Sequence, residues 1–173
     1  MNSILNSKNI LDKLTGAHDL SHINRVLENA RKLHKVYGGN WKIIEAAVSL
    51  HEITKKNPEE SKQYLPDFPE QEIKEVIYCI QSHDQYNEDI STIEAKIMQD
   101  SDILDMLGAT GIARGFMNAG KRELDLSVAK DEYKKKRLAV YDALILPESK
   151  KMAEMKIAFT RLFFETIEKE LTS

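Results

Sequence analysis

Cysteine is nearly absent. Cys79 is the only one, which excludes an intrachain disulfide. A lone thiol in 173 residues fits a reducing compartment, and the cytoplasm is the expected location. Long apolar runs are missing too, and none approaches the roughly 20 residues a membrane span requires. The opening stretch MNSILNSKNI lacks a basic segment followed by an apolar one, so no secretory signal is expected. Basic residues show no excess. The 25 Lys and Arg against 28 Asp and Glu leave a formal charge of −3, which removes the bulk argument for nucleic-acid binding. Helix breakers are scarce, with seven glycines and four prolines, and no strand-like alternation, internal repeat or low-complexity tract stands out.

What remains is helical periodicity. The spacing of apolar residues predicts helices over 3–14, 20–37, 41–54, 69–83, 92–107, 129–146 and 147–171. Asp19 or Ser21 suits the cap of the second helix, and Ser91 that of the fifth. The third helix is apolar on most of its circumference, which predicts a central position. Residues 55–71 hold three of the four prolines and read as a loop with one helical turn. GATGIARGF either continues the fifth helix or starts another, and NAGKRELDLS reads as exposed. The expected fold is all-α, a single domain over residues 1–173.

Polar residues interrupt the apolar faces at a few places. His22 borders the stripe of the second helix, His51 follows Ala47 by four, and His83 follows Ile80 by three. A lone histidine on such a face is ordinarily a hydrogen-bonded core residue. A cluster is different, and HDLSH, HE and QDSDILD bring acids and imidazoles to several helices. Burying them costs several kcal/mol unless they are paired or metal-bound. A divalent cation would neutralise the acids and use the imidazoles at once. The fifth helix has two apolar stripes, with Asp100 on one and Asp102 on the other, and periodicity leaves both open. His18 reads as a turn residue and His34 as helix edge. DEYKKKRLAVYDA reads as a solvated face. The apolar positions of MAEMKIAFTRLFFETI suit a core, or a homo-oligomer surface where they stay exposed.

Four segments in order, HDLSHINRV, AAVSLHEIT, IQSHD and EAKIMQDSDILDMLGATGIAR, resemble the HD-domain superfamily of metal-dependent phosphohydrolases, in particular its stand-alone bacterial members. The resemblance covers about residues 15–115 and continues weakly through YDALILPESKKMAEM; the helices over about 129–171 follow it. It implies an all-helical fold with a His, His-Asp, Asp metal site. Carried onto this chain, the ligands are His22, His51, Glu52 in place of the family's aspartate, and Asp102, with Asp100 the alternative. The implied cofactor is a divalent ion: Mn, Ni, Co, Mg or Fe. The implied reaction is hydrolysis of a phosphoester or phosphoanhydride in a nucleotide or another small phosphate.

The resemblance also puts His83 near the pocket, as a general acid or a phosphate-orienting group. Asp84 either orients it or caps the helix. Arg25 either binds phosphate or forms an ion pair with Asp19 or Asp105. Lys55 and Lys56 either meet an anionic substrate or are solvated at a helix C-terminus. Glu52 adds one methylene to the family's aspartate. The site therefore either holds metal in altered geometry or has lost it, leaving a ligand- or partner-binding module. A third reading, a di-iron oxygenase of the same fold, needs further ligands, for which His83 and Asp84 are the spare groups.

Overall fold

Asp19 starts the first helix by turning its carboxylate onto the His22 amide at 3.0 Å. That helix is α1 (Leu20–Tyr37), and it ends at Gly38, whose φ of 72° returns its N–H to the His34 carbonyl at 2.8 Å. The structure is a computed structural model that describes residue 14 and residues 19–86 and 89–172. The helix predicted over 3–14, apart from Leu14, and His18 lie outside the described residues. Asn40 caps α2 (Trp41–Thr54), where Ile43, Ile44, Ala46, Ala47, Val48 and Leu50 are all buried, in keeping with its apolar circumference. The proline-bearing loop carries a 3₁₀ helix, Pro58–Tyr64, before α3 (Glu70–Ser82).

The cap of α4 (Ile93–Met106) is Thr92 rather than Ser91. Thr92 Oγ1 accepts from the Ala95 amide, whereas both the backbone and the hydroxyl of Ser91 reach the Tyr78 hydroxyl at 3.0 Å. Every residue of α4 from Ile97 to Met106 is buried, so this helix runs through the middle of the molecule. GATGIARGF starts a new helix, α5 (Gly108–Lys121), because Gly108 adopts a φ of 75° that breaks the run. Its amide donates to Thr160 Oγ1 at 2.9 Å, which ties the break to the last helix. The stretch 118–121, expected to be exposed, forms the last turn of α5, and its Ala119 is buried. The final helices are α6 (Leu126–Asp142) and α7 (Pro147–Thr172). No strand occurs among the described residues.

The main core joins α1, α2, α3 and α4 with the inner faces of α6 and α7. A smaller cluster of Ile112, Ala119, Ala129, Tyr133 and Phe164 joins α5, α6 and α7 beside it. On α7, Met155, Phe159 and Leu162 remain exposed. Among the described residues, no helix is long and apolar enough to cross a membrane.

Candidate metal centre

Three helices deliver four side chains to one point. His22 comes from the first turn of α1, His51 and Glu52 from the last turn of α2, and Asp102 from the buried run of α4. His22 Nε2 lies 3.4 Å from His51 Nε2, 3.2 Å from Glu52 Oε1 and 3.6 Å from Asp102 Oδ1. His51 Nε2 lies 3.4 Å from the same Glu52 oxygen. His22, His51 and Asp102 each offer a ligand atom within 4.8 Å of the others.

The hydrogen bonds fix which nitrogen carries the proton. His51 Nδ1 is 2.8 Å from the Val48 carbonyl, and a carbonyl can only accept, so Nδ1 holds the hydrogen. His22 Nδ1 donates in the same way to Asp105 Oδ2 at 2.8 Å. Both rings therefore turn an Nε2 lone pair toward the two carboxylates. Four acceptors facing one another require a positive charge between them. This is how metal-binding histidines are held, with the second nitrogen tethered to a carbonyl or carboxylate. The residues present fit a divalent cation. Without one, a proton serves: burial pushes the His22 imidazole down, but its bonds to Asp105 and Glu52, with Asp102 nearby, outweigh burial and raise it to about 9.

Asp105 is a structural acid behind His22. Burial pushes its carboxyl up, but hydrogen bonds from His22 and Arg25, with the Arg114 cation, hold it below the usual range. Arg25 Nε reaches Asp105 Oδ1 at 2.6 Å, so of the two roles open to Arg25 the structure shows the ion pair. Its side chain lines a separate groove with Asp19, Ser21 and Thr110 rather than the cavity over Glu52. Asp100 is turned elsewhere. It accepts from the Ile145 and Leu146 amides at 3.1 and 2.8 Å and so pins the turn between α6 and α7.

Glu52 and Asp102 open onto a cavity of about 210 Å³, which Lys55, Arg114, Lys136 and Arg137 also line. The rings of Tyr86 and Tyr133 complete it. Tyr86 adopts a φ of 52°, a conformation uncommon for a bulky side chain. Lys55 pairs with Asp84 at 2.9 Å. Lys56 is exposed and does not line the cavity. His83 packs against His51 with ring centroids 5.2 Å apart. Its Nδ1 donates to the Ile80 carbonyl, and burial followed by the neighbouring His51 lowers its pKa. With Nδ1 on a carbonyl, the ring presents Nε2 on its other side.

Sequence reasoning missed Arg114, Tyr86, Lys136 and Arg137, and weighed Asp105 only as a partner for Arg25. The reading of DEYKKKRLAVYDA as a solvated face is corrected at Arg137, which is buried. A signal was present: Ala129, Tyr133, Arg137 and Val140 fall on one helical stripe, and these are the buried residues of α6.

No protein-family model matches the chain. The uncharacterized protein YpgQ of Bacillus subtilis is 27% identical over 183 residues, 95% of this chain and 89% of its own length. A crystal structure of YpgQ in complex with ADP, 24% identical in that superposition, covers 93% of each chain with a TM-score of 0.75 and shows the shared fold. The Lin1889 protein of Listeria innocua is 30% identical, with 99% of this chain and 98% of that one covered and a TM-score of 0.80. An HD-superfamily hydrolase from Bacillus thuringiensis is 31% identical, covering 98% and 95% with a TM-score of 0.75.

Proposed function

Because this chain belongs to the HD superfamily of hydrolases, we propose that it acts as a single-domain, metal-dependent phosphohydrolase on a nucleotide or another small phosphoester or phosphoanhydride. The observation that carries this reading is the meeting of two tethered imidazoles and two carboxylates at 3.2–3.6 Å. It gains support from the cations beside those carboxylates and from the ADP complex of the related YpgQ.

His22, His51, Glu52 and Asp102 would hold the ion. A bound divalent cation supplies Lewis acidity and water activation for hydrolysis. The rest is work for the chain's own side chains. Asp105 and the Val48 carbonyl keep both imidazoles in the ligating tautomer. His83, packed against His51, would offer its Nε2 as a hydrogen-bonding group beside the site. Lys55, held by Asp84, presents an ammonium to the cavity for an anionic substrate. Glu52 meets both imidazoles despite its extra methylene, so it remains a ligand candidate.

The test is a titration of the native protein and Glu52→Asp with manganese, nickel, cobalt and magnesium, followed by hydrolysis across a nucleotide panel. The expected result is metal binding and phosphate release by the native protein, with both strengthened in Glu52→Asp. Absence of bound metal together with absence of hydrolysis in both proteins would overturn the reading and leave a binding module. Two irons per chain would point instead to the oxygenase.

A further inference from the structure

We propose that α6 supplies a phosphate-binding pair, Arg137 and Lys136, that holds a phosphate group of the substrate in the cavity beside Glu52 and Asp102. This rests on the reading of that cavity as a phosphohydrolase site and names which residues hold the substrate there.

The four cations of the cavity differ in what balances them. Arg114 has Asp105, and Lys55 has Asp84. Among the described residues no carboxylate lies within ion-pair distance of Arg137 or Lys136; Asp102 acts on both from farther away, and Glu132, itself paired with Arg122, acts on Lys136. Arg137 is 5% exposed, and its Nε is buried with no hydrogen-bond partner. One Nη donates to the Gly111 carbonyl at 3.0 Å, and the guanidinium lies 5.3 Å from the centre of the Tyr133 ring. Neither contact supplies negative charge.

A buried guanidinium without a counter-charge is costly, and burial pushes this one below its ordinary pKa. An apolar residue of similar length would fill the same stripe at less cost. An anion that enters the cavity removes the cost. Phosphate fits best, because its oxygens match the planar fork of a guanidinium while Lys136 adds a point charge. The neighbouring helix is cut away to admit this arrangement. A Cβ added at Gly115 would meet the Tyr133 ring at 2.8 Å and Arg137 at 3.2 Å.

The probe is inorganic pyrophosphate, titrated calorimetrically into the full chain in chelator, so that neither metal nor turnover is needed. Arg137→Gln and Lys136→Gln each weaken binding by roughly 10-fold or more, the loss of a charge-assisted hydrogen bond. Lys135→Gln, an exposed neighbour outside the cavity, leaves it unchanged. Metal affinity stays at the native value in all three. Native-like pyrophosphate affinity in Lys136→Gln and in a folded Arg137→Gln would overturn the inference. Should Arg137→Gln not fold, the exposed Lys136→Gln decides alone. A protein that binds pyrophosphate through these residues yet takes up no metal and hydrolyses nothing would overturn the functional reading and leave this one standing.

Discussion

Asp105, expected only as an ion-pair partner for Arg25, also holds His22 and Arg114. It takes hydrogen bonds from His22, Arg25 and Arg114 with one carboxylate. Asp105→Asn keeps the shape but removes the charge and offers a donor to His22 Nδ1, which favours the wrong tautomer. Metal affinity is expected to fall roughly 10- to 100-fold, as for other partners of ligating histidines. A metal titration beside a thermal melt measures this, and a lower melting temperature accompanies it because two arginines lose their counter-charge. The candidate ligands were legible to different degrees. His22 and His51 stood out because a polar ring on an apolar stripe is visible at helical spacing. Asp100 and Asp102 could not be separated that way, since α4 is buried on both faces. Asp100 is assigned by amides 45 and 46 residues away, a relation no local pattern contains.

At the scale of elements, α5 shows how closely two helices can be brought together. A Cβ at Gly111 would lie 2.0 Å from the Met106 carbonyl oxygen, so the end of α4 and the start of α5 meet backbone to backbone. Gly120, on the same helix, has nothing within 4 Å of such an atom. Gly111→Ala is therefore expected to destabilise by about 1–3 kcal/mol or more, and Gly120→Ala to stabilise by about 0.5–1 kcal/mol. Urea unfolding of the two variants checks both signs. Apolar periodicity located α1, α2 and α7 closely because their faces are long and regular. It missed the cap of α4, since Ser91 and Thr92 are equally good capping residues and Tyr78, 13 residues earlier, decides between them. The run of lysines in α6 concealed Arg137, because charge content averaged over a window hides the single position that turns inward.

For the whole molecule, the candidate ligands come from α1, α2 and α4, so one ion would join three helices that are far apart in sequence. Ligand bound only to the native state at about 100 times its Kd adds about 2.7 kcal/mol of stability. The ion must displace the His22 proton, so its apparent affinity falls by up to about tenfold per pH unit below about 9. In the metal-free protein the raised His22 pKa contributes stability that is complete below about pH 6.5 and is lost as pH rises through about 9. The two dependences run in opposite directions. The difference in melting temperature between metal-loaded and chelated protein is therefore expected to widen from about pH 6 to about pH 8.5, and calorimetry at intervals across that range measures it.

The unequal sharing of charge around the cavity has a kinetic side. The chain carries a net charge of −3, yet Lys55, Arg114, Lys136 and Arg137 gather at one opening. Asp84 and Asp105 balance Lys55 and Arg114, so a small anion diffusing toward the molecule meets a weakly repelling surface and, at this mouth, Lys136 and Arg137. Low-dielectric walls concentrate field lines there, so arrival is steered before any contact forms. Added salt flattens that gradient over a Debye length of about 8–10 Å. Such an opening would sort small solutes by charge at a distance, before any group inside the cavity touches them.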